Sequence, residues 1–188
     1  IPQLCRNSCT GYQWPDRQIL LKSGHMIVGA LALDQVMGFE LMIPGQVFGM
    51  ANLAAAESGA AVLPEYEVRV CGQHRSISTS AEWGRVEIRT PYGMDALVEA
   101  DLVVVPGTHR FLEDPDPQAV SALRAAADNG VRIAAMCVGA FTLAAAGLLD
   151  GRRAVRRRAD RGGDEAIAAP RYGLDVARFA GIIVERRP

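Results

Sequence analysis

An apolar strand pattern over residues 131–136 runs directly into Cys137, and Gly139 then opens an alanine-rich helix pattern. A Cys-x-Gly turn between a strand and a helix is the layout of a nucleophile elbow, whose side chain projects into the cleft at the carboxyl end of a sheet. A helix amino terminus beneath the sulfur would favour the thiolate, which is the reactive form of cysteine. A cysteine that fills space in a packed core gives the same local sequence, so both interpretations stand at this point.

A second strand pattern, residues 100–105, ends at Pro106-Gly107. Because the carboxyl ends of parallel strands share one edge, Gly107 and Cys137 are predicted to lie at the same rim, where open α/β sheets bind ligands. The backbone amides of Gly107 and Val138 could then both face the sulfur as an anion-binding pair. An ordinary strand-to-helix turn is the alternative, since Pro-Gly pairs are common there.

A carboxylate stands at the start of the first predicted helix. The strand pattern over residues 26–33 is followed by Glu40, which has Phe39 and Leu41 as neighbours in an apolar segment. Burial raises the pKa of a carboxyl group, and a protonated Glu40 could donate a hydrogen bond to a thiolate. Taken alone, Glu40 is more simply a solvated acid in the first helical turn, where it complements the helix dipole.

Strand and helix patterns alternate along the central part of the chain and predict an α/β sheet that is covered on both faces. The predicted strands are 26–33, 66–71, a pair around 75–80 and 86–88, 102–105 and 131–135, and the predicted helices are 40–57, 116–128 and 139–147. In the first helix, Val47, Met50 and Leu53 recur at helical spacing, which predicts a side that faces the core.

The three segments around Glu40, Gly107 and Cys137 together resemble the DJ-1/PfpI superfamily, which is similar to class I glutamine amidotransferases. Its members carry a helix carboxylate, a glycine at a strand end and a cysteine on the elbow. Within that superfamily, the sequence most resembles the amino-terminal domain of AraC-type transcriptional regulators of the GlxA kind. The segments that carry this resemblance are residues 34–48, 66–71, 102–107 and 137–153. The resemblance covers residues 26 to about 154. It implies a flavodoxin-like, DJ-1-like α/β sandwich with a mostly parallel central sheet flanked by helices.

The resemblance also implies site residues. Carried over by position, Cys137 is the elbow nucleophile and Glu40 is its helix carboxylate, and these two are the catalytic candidates. The ligand-binding candidates lie at the ends of the two rim strands and are Gly107, Thr108, His109 and Val138. Because relatives dimerise, a homodimer is expected, with an exposed part of the first helix or the hairpin around Trp83 as its interface.

Departures from the family pattern weaken an enzymatic interpretation. Enzymes of the superfamily usually place a histidine after the Leu-Leu-Asp-Gly segment, and this sequence has arginines there instead. Gln46 stands where relatives often have glutamate, and His109 is more readily a pocket-edge residue than a base. The sequence has no Cys/His spacing typical of a metal site and no phosphate-binding loop, so neither a metal nor a cofactor is expected.

Composition narrows the class of protein. The 188 residues carry a formal net charge of −1 and are 49% hydrophobic, which suits one globular domain with a full core. No apolar stretch reaches the ~20 residues that a membrane-spanning helix needs, and the first residues lack a signal-peptide pattern. A cytoplasmic protein without a membrane partner is therefore expected, with its four cysteines as free thiols.

Both ends depart from the central pattern. Residues 1–25 begin without methionine and show no periodicity, so they are interpreted as a poorly ordered leader or vector-derived segment, with a native arm as the alternative. The family-like domain is assigned to residues 26–188, atypical or truncated after about residue 154, where the composition becomes arginine-rich. Acidic residues accompany those arginines, which favours a solvated segment over one that binds nucleic acid. Residues 181–185 are a candidate final strand.

The functional prediction is a ligand-sensing and dimerising domain of an AraC-type regulator. It would bind a small molecule in the cleft around Cys137 and reach DNA only through a helix-turn-helix module absent from this chain. The alternative is a cysteine-dependent enzyme of the same superfamily, an isocyanide hydratase or a glyoxalase-like hydrolyase, with Cys137 as nucleophile and Glu40 as proton partner. A redox-responsive thiol is a third interpretation. The elbow predicts that Cys137 alkylates faster than Cys71 at neutral pH.

Overall fold

A six-stranded sheet forms the centre of the molecule. The computed structural model describes residues 24–58, 64–79, 84–150, 168–169, 174–175 and 181–184. The strands are β1 (His25–Ala32), β2 (Glu65–Gly72), β3 (Ser76–Ser78), β4 (Glu87–Arg89), β5 (Tyr92–Gly93), β6 (Leu102–Val105), β7 (Arg132–Met136), β8 (Ala168–Ala169), β9 (Leu174–Asp175) and β10 (Gly181–Val184). The helices are α1 (Gly38–Ser58), a 3-10 helix (Met94–Glu99), α2 (Pro117–Asp128) and α3 (Gly139–Ala145).

The strands of the central sheet follow the order β10-β7-β6-β1-β2-β5. Five of them are parallel, and β10, the predicted final strand, pairs antiparallel with β7 at one edge. The chain leaves β1 toward β2 and later returns to the other side of β1 with β6, so the strand order reverses between β1 and β6. Open α/β sheets bind ligands outside the carboxyl ends of the strands at such a reversal. The mostly parallel, flavodoxin-like sandwich predicted from the sequence is confirmed.

Helices and short strands cover both faces of the sheet, which is why its central strands are nearly continuous apolar runs. On one face α2, α3 and the 3-10 helix pack through large buried side chains such as Leu123, Leu143 and Leu97. On the other face a smaller cluster joins β1 to α1 and β3 through Leu41 and Ile77. The sheet is therefore packed on each face against a separate hydrophobic cluster.

The outward side of α1 differs from the prediction. Val47, Met50 and Leu53 were expected to face the core because of their helical spacing, yet they are 56%, 66% and 61% exposed. Helical spacing identifies residues that share a face, but it does not tell which of two apolar faces packs on the sheet. The inward side of α1 instead uses Glu40, Leu41 and Pro44. The stripe is thus a surface feature.

Some sequence interpretations lie outside the described residues. These are the segment before residue 24, Trp83, and the arginine-rich segment that follows residue 150. Cys71 and Cys137 are free thiols, as predicted, whereas Cys5 and Cys9 belong to the segment that is not described. Among the helices in the described part, none combines the length and the apolar character needed to cross a bilayer.

Candidate functional site

Cys137 occupies a sharp turn between β7 and α3. Its backbone φ is 47°, in the left-handed region that residues other than glycine rarely adopt, so the turn has the strain of a nucleophile elbow. Gly139 makes the turn possible, because a Cβ at that position would overlap the carbonyl oxygen of Val105 and lie 2.8 Å from the oxygen of Pro106. The Cys-x-Gly pattern therefore reflects a close approach of α3 to the end of β6, and the chain forms the predicted elbow.

The loop between β1 and α1 delivers Glu40 to the same rim. This loop is tied to its neighbours by backbone hydrogen bonds: Gln35 N donates to the Ser78 oxygen at 2.7 Å, and Met37 N donates to the Gly107 oxygen at 2.8 Å. Glu40 lies in the first turn of α1 and is only 9% exposed, so its interpretation as a solvated first-turn acid is wrong. A buried carboxylate needs hydrogen-bond donors, and the rim supplies one.

That donor is the backbone amide of Gly107, which donates to Glu40 Oε2 at 2.7 Å. This bond corrects the expectation that the amides of Gly107 and Val138 form an anion-binding pair at Cys137, since the Gly107 N–H is already engaged. The Val138 amide does hydrogen-bond the sulfur. A Cβ at position 107 would lie 2.8 Å from Val138 Cγ2 and 3.1 Å from Glu40 Oε2, so any larger residue would have to displace the Val138 and Glu40 side chains. Gly107 is therefore a positioning residue for Glu40.

The surroundings of Cys137 raise the pKa of its thiol. Partial burial is the largest cause and the nearby Glu40 carboxylate adds to it, while the hydrogen bond from the Val138 amide acts in the opposite direction. The sequence predicted a lowered pKa because of the helix amino terminus beneath the sulfur. That expectation fails because burial and the Glu40 carboxylate raise the pKa by more than the hydrogen bond from the Val138 amide lowers it.

Two phenylalanines belong both to the hydrophobic cluster around Cys137 and to the lining of a larger cavity. The rings of Phe111 and Phe141 pack with their centroids 5.4 Å apart, and Cys137 and Met37 pack against the same cluster. Both rings also line the cavity, whose lining includes neither Cys137 nor Glu40. The elbow and the cavity are therefore neighbouring but separate places.

This cavity, which we call the carboxyl-edge cavity, has a volume of about 380 Å³. Its walls come from the segments that follow β1 and β2, from the loop after β6 and from α3, so it opens at the carboxyl ends of the parallel strands. The position beside the reversal between β1 and β6 is the one where open α/β sheets hold ligands. The volume is within the range of small-molecule sites.

The lining of the carboxyl-edge cavity combines apolar and charged groups. The large apolar side chains are Leu33, Ile77, Met94, Phe111 and Phe141. The carboxylates are Asp34, Glu113, Asp114 and Asp116. Arg110 faces them and donates from Nε to Glu113 Oε2 at 2.7 Å. This ion pair raises the pKa of Arg110 and lowers the pKa of Glu113.

The predicted site residues are divided between the two places. Cys137, Glu40, Gly107 and Val138 come together at the elbow, whereas Thr108 lines the carboxyl-edge cavity.

The remaining candidate, His109, is half-buried and its backbone amide donates to the Gln35 oxygen at 3.1 Å; it is not part of the cavity lining. Sequence analysis did not single out Asp34, Phe111 or Thr142 as site residues, because loops and a helix face bring them together without a motif. In the described part of the chain, no three His, Cys, Asp or Glu side chains are grouped so as to hold a metal ion.

A mostly parallel α/β sandwich with a strained elbow cysteine beside a helix carboxylate defines the class of this protein. The chain belongs to the DJ-1/PfpI family, whose family model matches residues 26–156.

The sequence is similar to a curated protein of Streptomyces lividans described as "Uncharacterized protein in cpoL 5'region". The two are 32% identical over 133 residues, which are 69% of this chain and 85% of that protein.

Solved structures show the same fold. An AraC family transcriptional regulator from Pseudomonas putida is similar with a TM-score of 0.54 at 23% identity, over 69% of this chain and 65% of the regulator. Oxidized Toxoplasma gondii DJ-1 is similar with a TM-score of 0.50 at 20% identity, over 76% of this chain and 77% of that one. The chain thus spans just under two thirds of the length of the Pseudomonas regulator.

Proposed function

We propose that this chain is the ligand-sensing and dimerising domain of an AraC-type transcriptional regulator, with its small-molecule ligand in the carboxyl-edge cavity. In this proposal a separate helix-turn-helix module contacts DNA, and the domain acts in the cytoplasm. The structural likeness to the Pseudomonas putida regulator supports the proposal, although at 23% identity that likeness concerns the fold.

The observation that carries the proposal is the separation of the cavity from the elbow. A cysteine enzyme needs its substrate to reach the nucleophile. Here Phe111 and Phe141, which pack in one cluster with Cys137, line the cavity whereas Cys137 does not, and the thiol has a raised pKa. A cavity of about 380 Å³ whose walls include no part of the nucleophile suits reversible binding better than covalent chemistry.

Dimerisation is supported by the outward side of α1. Five of the seven large hydrophobic residues that are exposed in the described part of the chain lie on this helix: Phe39, Met42, Val47, Met50 and Leu53. On the same helix, a Cβ at Gly45 or Gly49 would meet nothing within 4 Å, so another backbone has room to approach. A helix that is apolar on both sides is normally covered on both. A second copy offers the same face, as an interface with two-fold symmetry requires.

A thermal-shift screen with a metabolite library tests the proposed function. Wild type and Cys137→Ser are screened in parallel, and intact mass is measured for each hit. We expect ligands that raise the Tm of both proteins equally and leave no covalent adduct. Ligands that act only on the wild type, or that are turned over, would contradict the proposal. Thr142→Val, which alters the cavity and leaves the elbow intact, serves as the matched variant and should reduce the shift.

One observation favours the alternative function, a cysteine enzyme such as an isocyanide hydratase or glyoxalase-like hydrolyase. Cys137 is held at a strained φ of 47° with Glu40 beside it, and strain of this kind is concentrated at functional sites. Assays with an aryl isocyanide and with methylglyoxal test this candidate. Turnover that disappears in Cys137→Ser and falls in Glu40→Gln would establish it, and absence of turnover by wild type would remove it.

A further inference from the structure

The charges around the carboxyl-edge cavity are unbalanced. Among the described residues that line it, there are four carboxylates and one guanidinium, and that guanidinium, of Arg110, is paired with Glu113. In the described part of the chain, the Asp34 carboxylate accepts one hydrogen bond, a long one of 3.3 Å from the Ser78 amide to its Oδ1 atom, and its charge also acts on Arg110. The rim therefore presents a surplus of negative charge toward whatever enters, and such a surplus attracts cations and repels anions.

Aromatic walls add a second preference. Phe111 and Phe141 line the cavity side by side, with ring centroids 5.4 Å apart. The faces of aromatic rings carry partial negative charge, so they stabilise an organic cation more than a neutral group of the same shape. Ile77 and Met94 extend the apolar part of the lining, which favours a ligand with a hydrocarbon portion.

Thr142 supplies an independent observation that points to a ligand. Its side chain lines the cavity and is only 3% exposed, and its hydroxyl has no hydrogen-bond partner in the part of the chain that the structure describes. A buried hydroxyl without a partner is unfavourable, and such groups in native proteins usually have a function. A ligand in the cavity that carries a hydrogen-bonding group would satisfy this hydroxyl.

We propose that the carboxyl-edge cavity binds a small organic cation, a protonated amine or a quaternary ammonium with an apolar portion and a hydrogen-bonding group that pairs with Thr142. The inference rests on the proposed function, because it names the ligand class for the same cavity. The cationic group lies toward the Asp34 carboxylate and the apolar portion lies against Phe111 and Phe141.

Three probes that share one ring test the ligand class: benzylamine, benzyl alcohol and benzoate. At neutral pH they are a cation, a neutral molecule and an anion, and all are small enough for the cavity. We expect isothermal titration to show benzylamine binding about tenfold more tightly than benzyl alcohol, with benzoate weakest. Benzylamine binding should weaken as the ionic strength rises from about 0.01 M to about 1 M, because the screening length falls from about 30 Å to about 3 Å.

Substitutions inside and outside the carboxyl-edge cavity test whether the probes bind there. Asp34→Asn keeps an acceptor for the Ser78 amide and removes the charge, so it should abolish most of the preference for benzylamine over benzyl alcohol. Thr142→Val keeps the shape and removes the hydroxyl, so it should weaken binding of benzyl alcohol without lowering the Tm of the free protein. Asp128→Asn removes the same charge at the end of α2, outside the cavity lining, and should leave binding unchanged.

The outcomes separate this inference from the function on which it rests. Equal or tighter binding of benzyl alcohol or benzoate, sensitive to Thr142→Val, would overturn the cationic class and leave a ligand-sensing cavity. Benzylamine binding that is unaffected by both cavity variants would also overturn it. If none of the probes binds at millimolar concentration, the cationic class is overturned. The sensing function then falls only if the metabolite screen yields no ligand either.

Discussion

At the scale of single residues, Cys137 combines a strained backbone with a thiol that is less acidic than usual. A residue other than glycine in the left-handed region costs roughly 1–2 kcal/mol, which the packing of Gly139 on β6 must offset. Strain fixes the direction of the sulfur, whereas Glu40 and burial decide its charge. The elbow geometry is thus present without the electrostatics that make a cysteine strongly nucleophilic at neutral pH.

Alkylation of Cys137 should therefore follow a pH profile shifted above that of an ordinary thiol. Glu40→Gln keeps an oxygen for the Gly107 amide and removes a negative charge, so it should lower the pKa of Cys137 and speed its alkylation at pH 8 by a factor of about three to ten. Mass spectrometry of iodoacetamide labelling measures both rates.

Cys71 is the internal reference for this experiment, because it is fully buried and burial raises its pKa to about 11. It should label more slowly than Cys137 in both proteins. A wild-type Cys137 pKa below the ordinary thiol range, or one that rises in Glu40→Gln, would contradict the account. It would mean instead that a protonated Glu40 donates to the thiolate, as the sequence first suggested.

The sequence located the residues of the elbow because each sits at a motif. Cys137 and Gly107 end strand patterns, and Glu40 begins a helix pattern. The residues of the carboxyl-edge cavity could not be located in this way. Phe111 lies in an irregular loop, and Thr142 lies on one face of a helix whose neighbour depends on tertiary packing.

At the scale of elements, the close contact between α3 and β6 holds the elbow in shape. Gly139→Ala would force a methyl group into the carbonyl oxygens of Val105 and Pro106, and backbone atoms cannot move aside as a flexible side chain can. We expect a loss of about 3 kcal/mol in the free energy of unfolding, at the upper end of overpacking effects. Urea unfolding followed by circular dichroism measures this loss.

Gly24→Ala is the control for that substitution, because a Cβ at position 24 meets nothing within 4 Å. It should change the free energy of unfolding by less than about 0.5 kcal/mol. If Gly139→Ala were equally harmless, α3 would not be held against β6 by this contact, and the origin of the strained turn would lie elsewhere.

Prediction of elements from the sequence succeeded for most strands and helices and failed for several short ones. The four longer parallel strands, β1, β2, β6 and β7, and the helix α2 were placed within about two residues. Apolar runs mark the limits of the strands, and Asp116 and Asn129 mark those of the helix. The 3-10 helix and the two-residue β5 leave no periodic pattern. The outward side of α1 was misjudged because the sequence shows apolar spacing but not the partner that covers it.

At the scale of the whole molecule, the exposed side of α1 predicts self-association. Met50→Glu places a charge at the centre of this surface, where the wild-type side chain is 66% exposed in the single chain. The substitution should not unfold the domain, and it should weaken a dimer by at least about tenfold, because burying an unpaired charge is costly. Sedimentation velocity over a range of concentrations measures the dimer.

Val86→Glu is the matched control, since Val86 is 58% exposed and lies outside α1. It should leave the dimer intact. A wild-type protein that stays monomeric at all concentrations, or a dimer that tolerates Met50→Glu and dissociates with Val86→Glu, would show that α1 is not the interface.

The most direct test of the central claim is a methyl NMR titration with a ligand from the metabolite screen. The account predicts shifts of the Ile77, Met94 and Thr142 methyl groups in the carboxyl-edge cavity. The Ile133 methyl groups in the core should not move, and the intact mass of the protein should not change. Shifts confined to Val138 and Met37, together with an adduct on Cys137, would contradict it and assign this domain to cysteine chemistry.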